Sequence, residues 1–273
     1  MKNKQINKPQ LAPGTTLIDT HCHLDMDAYA CDLEHLVRSA ADQGITEIIT
    51  IGIDLASSRK AVELATQFPG VWATIGIHPH HALNGDIETY HQLQLLAKDG
   101  ANKVVGYGEI GLDFAKNYAP RDVQLKSFEL QLNMAKELNL PIVIHDRDAH
   151  DEILDILRAN APFPALGVMH CFSGDIELAR RIIDLGLYIS IPGIVTFTKS
   201  ASMQQVAREI PLQRMILETD GPFLSPVPYR GKTNKPEYLV YTAQKIAELR
   251  GVSLDVIARQ TTLNAKTLFR LPR

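Results

Sequence analysis

The segment IDTHCHLD holds the first residues that could do chemistry, two histidines set two apart, His21 and His23, with Asp19 two residues before them. If this segment is a strand, its period of two puts Asp19, His21 and His23 on one face and Cys22 on the other. A histidine met singly is more often a core or surface residue than a ligand. Two imidazoles presented side by side are different, because together they suit a divalent cation. Further along stand Glu109 in GYGEIGLD, His145 in PIVIHDRDA, His170 in GVMHCFSG and Asp220 in ILETDGP. Each could simply cap its own loop. Six such groups converging on one place would leave buried charge unpaired unless one or two cations sat among them. Two cations about 3.5–4 Å apart would acidify a shared water and clamp the attacking and leaving oxygens of a displacement, which is hydrolysis. Neither Cys22 nor Cys171 is well placed as a nucleophile: each follows a candidate ligand, so alternation is expected to turn both toward core packing.

The elements that must position these groups alternate along the chain. Strand candidates are 16–21, 45–51, 71–77, 103–107, 141–145, 165–170, 187–191 and 214–218, with helical runs near 32–43, 55–67, 87–98, 121–138, 149–158, 175–184, 199–209 and 237–249. Eight βα pairs imply an α/β chain folded as a single-domain (β/α)8 barrel, a TIM barrel, whose chemistry gathers at the carboxyl ends of the strands. The candidate groups fall at five of those ends. Within 121–138, Val123, Leu125, Phe128, Leu132, Ala135 and Leu138 recur at mostly three- and four-residue spacing and are expected to face the sheet. A last helix capped by Ser253 is expected beneath or beside the barrel. The stretch 221–236 is rich in Gly and Pro and reads as a loop.

With 273 residues and 45% hydrophobic content the chain can bury one large core. Its net charge of −3 argues against coating long nucleic acid but leaves room for a substrate held at a few phosphates. Three cysteines without CxxC spacing fit a reducing cytoplasm better than a disulfide framework. Residues 1–14 lack an apolar signal core and are expected to be a disordered extension before a barrel over 15–273, and no stretch reads as a membrane span. Nothing in the sequence calls for an obligate protein partner.

The series IDTHCHLD, GIHPH, GEIGLD, IVIHDRDA, HCFSG and ETDGP, in that order over about 16–271, resembles the motif series of the TatD family of metal-dependent deoxyribonucleases. The resemblance implies a barrel hydrolase with two divalent ions, Mg2+, Mn2+ or Zn2+. It implies that His21, His23 and Asp220 hold one ion and His145 and His170 the other, with Glu109 between them. It also implies catalytic roles for Asp220 and Glu109, and nucleic acid ends as substrate, DNA ahead of RNA, shortened from the 3′ end of a single strand. Other residues keep two readings each. His78 and His80 could contact a phosphate or serve their His-Pro turn, with solvation the expected state of His80 and His81. Arg147 could fork a phosphate or join a surface ion pair. Phe172, Phe197, Phe223 and Tyr229 could stack bases or pack their loops, and Lys232 and Lys235 could steer a phosphate chain or be solvated. A deacylase of aminoacyl-tRNA, an amidohydrolase of lactones or cyclic amides, and a non-catalytic metal-binding barrel are the rival readings.

Overall fold

The computed structural model describes residues 8–99 and 103–272. Eight strands, β1 (Leu17–Cys22), β2 (Ile45–Ile51), β3 (Val71–Ile75), β4 (Val104–Asp113), β5 (Ile142–Arg147), β6 (Gly167–Met169), β7 (Tyr188–Ile191) and β8 (Met215–Leu217), pair in chain order and in parallel. Between them run α1 (Leu33–Asp42), α2 (Leu55–Gln67), α3 (Ile87–Asp99), α4 (Arg121–Glu137), α5 (His150–Asn160), α6 (Ile176–Asp184) and α7 (Ala201–Glu209), followed by α8 (Leu239–Arg250) and α9 (Leu254–Phe269). The expected (β/α)8 barrel is the observed fold. Among the described residues no helix is long and apolar enough to cross a membrane.

The barrel closes between β1 and β8, and that seam carries chemistry. Asp220 N donates to His21 O at 2.9 Å, His23 N to Gly221 O at 2.8 Å, and Thr20 Oγ1 to Leu217 O at 2.9 Å. Backbone pairing thus brings the two histidines of the first strand against the aspartate after the last.

Inside the barrel, Ile18, Ile49, Ile51, Val143, Val168, Tyr188 and Ile216 pack with Leu268, Phe269 and Leu271 from the end of the chain. Ser253 caps α9 through Val256 N, and Thr262 Oγ1 bonds Thr16 O just ahead of β1. The last helix therefore closes the amino-terminal end of the barrel, leaving the carboxyl end open. The interior is a packed core with one mouth.

Three expectations need adjustment. β4 runs to Asp113, well past the expected 107, so GEIGLD is strand rather than the loop after it. In α4 the buried face is shifted: Phe128, Leu132 and Ala135 face inward as expected, but Val123 is only half-buried while Gln124 and Gln131 are buried. Both glutamines bind strand ends, Gln131 at Ile77 N and O (2.8 and 2.9 Å) and Gln124 at Asp113 N and O (2.9 and 3.2 Å), satisfying backbone that leaves the sheet there. Of the extension expected to be disordered, residues 1–7 lie outside the described residues. Residues 8–14 contact the barrel: Lys8 pairs with Glu237 at 2.7 Å, Ala12 N donates to Asp255, and Leu11 packs on the core.

Candidate metal centre

Glu109 sits at the floor of the mouth, its side chain only 4% exposed, on a stretch of β4 that only glycine could build. At Gly111 (φ 144°) an added Cβ would fall 2.0 Å from His145 O, and at Gly108 (φ 152°) 2.4 Å from Val143 O. Small residues let β4 lie close enough to β5 for Glu109 and His145 to meet.

The carboxylate divides its oxygens between two sets of imidazoles. Oε1 lies 2.7 Å from His145 Nδ1, 2.9 Å from His170 Nε2 and 3.3 Å from His78 Nε2. Oε2 lies 3.4 Å from His21 Nε2 and 3.9 Å from His23 Nε2. Asp220 Oδ1 completes the second set, 3.8 Å from His21 Nε2 and 3.6 Å from His23 Nε2, and those two nitrogens stand 3.3 Å apart. All six groups proposed as ligands from the sequence are brought together. The set His21, His23 and Asp220 has its ligand atoms within 4.8 Å of one another, and so does the set His78, Glu109 and His145. His78, weighed as a phosphate contact, therefore stands among the donors themselves. Its Nδ1 accepts from His80 N at 3.1 Å, which aims Nε2 at Glu109.

The charge balance fits cations. Burial pushes the Glu109 carboxyl up, but the facing His170 and His78 outweigh it and hold the group well below the carboxylate range. Burial alone would lower His145 and His170; Asp113 and Glu109 raise His145, and Glu109 and Glu218 raise His170, above the ordinary imidazole value. His21, by contrast, is lowered to about 4 by burial and by His170, and His78 to about 3, chiefly by burial. The rings lowered by burial are neutral, ready ligands at neutral pH, and the carboxylates facing the others favour positive charge there. The Nδ1 atoms of His21 and His23 are buried without a hydrogen-bond partner. Imidazole and carboxylate donors converging from two sides of one carboxylate suit a pair of divalent ions.

A second layer of carboxylates lies behind the rings, and the sequence reading did not single it out. Asp113 Oδ2 is 3.3 Å from His145 Nε2 and 2.7 Å from His80 Nε2, while its Oδ1 accepts from Ala115 N and Lys116 N. Glu218 Oε1 is 3.5 Å from His170 Nδ1 and accepts from Cys171 N at 2.6 Å. Such partners orient metal-ligating imidazoles. Both carboxylates were visible in GEIGLD and ETDGP; their orientation was not.

Other expectations are corrected. Asp19 does not join the histidines: a register irregularity between Asp19 and Cys22 interrupts the strand's alternation, and its carboxylate accepts from Thr219 N (2.9 Å) and Oγ1 (2.5 Å). Cys22 does turn away, against Tyr29 and Gly221. Cys171 does not turn away: with φ at 42° it leaves the strand's pattern and lines the mouth. His80 is half-buried on Asp113 rather than solvated, and both His80 and His81 line the cavity. Arg147 lies exposed on the rim, Phe223 lines the mouth with 48% of its surface exposed, and Phe172 is core. The cavity these residues enclose measures about 610 Å³ and opens at the carboxyl ends of the strands.

Comparison with known proteins gives the family and the fold. The family described as "TatD related DNase" matches residues 18–270. Among curated relatives, the chain is 40% identical over 255 residues to "Uncharacterized metal-dependent hydrolase YabD" of Bacillus subtilis, covering 93% of this chain and 99% of that one. It is 37% identical over 262 residues to "3'-5' ssDNA/RNA exonuclease TatD" of Erwinia billingiae, covering 94% and 100%. Among solved structures, YJJV, a TatD homolog from Escherichia coli K12, superposes with a TM-score of 0.89 at 32% identity, covering 94% of this chain and 98% of that one.

Proposed function

The chain belongs to the TatD family of metal-dependent hydrolases acting on ester bonds, and from that premise we propose that it is a phosphodiesterase that removes nucleotides from the 3′ end of single-stranded DNA. The observation that carries the reading is Glu109, with one oxygen toward each of two donor sets at the floor of an open cavity. His21, His23 and Asp220 would hold one divalent ion, and His145 and His170 the other, with Glu109 shared. Bound there, two such ions, Mg2+, Mn2+ or Zn2+, would supply Lewis acidity and a water acid enough to lose its proton near neutral pH.

The chain's own groups do the rest. Asp220, fixed by its bond to His21 O and facing the cavity, is placed to accept the proton of an attacking water. Arg147 on the rim can fork two non-bridging oxygens of the scissile phosphate, holding phosphorus toward the floor. Phe223 offers its exposed face to the terminal base, which favours an unpaired end over a duplex. His78 and the Asp113-bound His80 close the side of the mouth opposite the β8 loop with rings held in fixed orientation. Single-strand specificity and 3′ polarity are supported by the name of the Erwinia relative.

The test uses protein stripped with chelator and reloaded with Mg2+, Mn2+ or Zn2+, assayed on oligonucleotides labelled at either end beside a D-aminoacyl-tRNA and a lactone. The expected result is hydrolysis from the 3′ end, lost on stripping and restored by a divalent ion. Full activity without metal, or turnover of the aminoacyl ester or lactone alone, overturns the proposal.

A further inference from the structure

The mouth of the barrel is not uniform in charge. In the loop after β8, the segment 221–235, beyond the site residues Glu218 and Asp220, carries Arg230, Lys232 and Lys235 and no carboxylate, and the loop after β7, 192–200, carries Lys199 and no carboxylate. In a chain of net charge −3 this is a local excess. The loop after β1 has the opposite composition, with Asp25, Asp27 and Asp32 and no lysine or arginine over 24–32.

The two basic loops are joined to each other and to the cavity. Val227 N donates to Thr196 Oγ1 at 2.8 Å, and Ile194, Phe223 and Leu224 from the same loops line the mouth. Moving outward, the Arg230 guanidinium lies 4.5 Å from the Phe197 ring centroid, and Lys232 Nζ lies 5.8 Å from the ring of Tyr229, itself stacked on Tyr238 at 4.0 Å. Lys199, Arg230 and Lys232 are exposed, and none forms an ion pair among the described residues. Lys235 is set apart: half-buried, it lines a small cleft with Tyr29 and Glu237. Cations resting on aromatic faces lose little freedom on binding, because the ring already orients them, and a guanidinium laid on a ring keeps its N–H edge free for phosphate.

We propose that this rim is the track for the strand behind the scissile phosphate, with Phe223 at its start and Arg230, Lys199 and Lys232 neutralising successive backbone phosphates of a single-stranded polynucleotide. The inference rests on the phosphodiesterase reading and extends it: the enzyme grips several nucleotides inward from the end, on one side of the mouth only. The acidic β1 loop adjoins the basic one at the barrel seam, where Tyr29 Oη donates to Asn234 O at 2.7 Å, and bounds the track on that side. With Arg147 at the scissile group, about four phosphates are engaged, more than the few that net charge by itself suggests.

The experiment compares wild type with the triple variant Lys199→Ala/Arg230→Ala/Lys232→Ala and with a charge-matched control, Lys60→Ala/Lys126→Ala/Arg180→Ala, whose cations sit in exposed helical ion pairs. Two substrates are used, a labelled single-stranded oligonucleotide and bis(p-nitrophenyl) phosphate, which has no strand to grip. For the track variant, KM on the oligonucleotide should rise about tenfold and the salt slope of binding should fall by about 2. Turnover of the small diester should stay at wild-type level, and the control should match wild type on both. If wild type cleaves both substrates while the track variant keeps its oligonucleotide KM and salt slope, the track is wrong and the phosphodiesterase reading stands. An equal loss in track and control variants also overturns it. If wild type cleaves neither diester, the phosphodiesterase reading fails and the track falls with it.

Discussion

Glu109 turns one carboxylate oxygen toward each donor set, so its loss removes a shared ligand and unbalances five imidazoles at once. Glu109→Ala is expected to lower kcat by several orders of magnitude with the fold retained, whereas Cys22→Ala, which only packs on Tyr29 and Gly221, should keep most activity; steady-state kinetics with circular dichroism checks both. A Cys22→Ala protein that folds normally but is as inactive as Glu109→Ala would overturn the reading of the first strand. Asp113 acts at one remove, through His145 and His80. Asp113→Asn keeps its shape and the bonds to Ala115 N and Lys116 N but loses its charge behind His145. Metal affinity should weaken about 10–100-fold, with activity recovered at raised metal concentration. Inactivity that metal does not rescue, with unchanged affinity measured by calorimetry, would assign Asp113 a direct role instead.

At the scale of elements, the site depends on parts far from it. The end of α9 fills the barrel from below, where Phe269 is 2% exposed against Ile18, Val143 and Ile216. Phe269→Ala should cost about 3–5 kcal/mol of stability by opening a cavity there. Because the mouth lies at the opposite end, KM should hardly move at temperatures where the variant stays folded. Denaturant titration beside kinetics separates the two effects; a large KM change with stability intact would mean that the barrel floor transmits strain to the site. The buried Gln124 and Gln131 of α4 make a related point, since they pin the ends of β3 and β4 where His78 and Asp113 begin their loops.

For the molecule as a whole, pH and metal should be linked. In the metal-free protein His145 and His170 have raised pKa values, so their protonated pairing with Glu109 contributes stability that is fully present below the ordinary imidazole value of 6.5 and is lost as pH rises through the raised values. His21 and His78, lowered to about 4 and about 3, act in the other direction, and only below 6.5. Above 6.5 the stability of the metal-free protein should therefore decline with pH. Metal loading displaces those protons, so apparent metal affinity should rise with pH and protons should be released on binding. Thermal melts of stripped and loaded protein over a pH series, with proton release followed in weak buffer, check this. A stripped protein whose Tm climbs steadily above pH 6.5 would show that the protonated imidazoles do not support the fold.

The sequence alone determined the alternation of strands and helices, hence the barrel, because hydrophobic periodicity is local and the chain repeats it eight times. It also determined the six groups at strand ends, because a barrel gathers whatever its carboxyl ends carry. Orientation was decided elsewhere. Asp19 and Cys171 broke strand alternation, one at a register irregularity and one at a left-handed backbone, and neither feature follows from residue type. His80 found Asp113 across 33 positions of sequence, and Glu218 reached His170 and Cys171 from a strand two places away in the sheet. Loops 192–200 and 221–235, several of whose aromatic and basic residues the sequence left with two readings each, became one basic rim when Val227 met Thr196. Side-chain pairing between distant segments is set by closure of the barrel, and only the tertiary structure contains that closure.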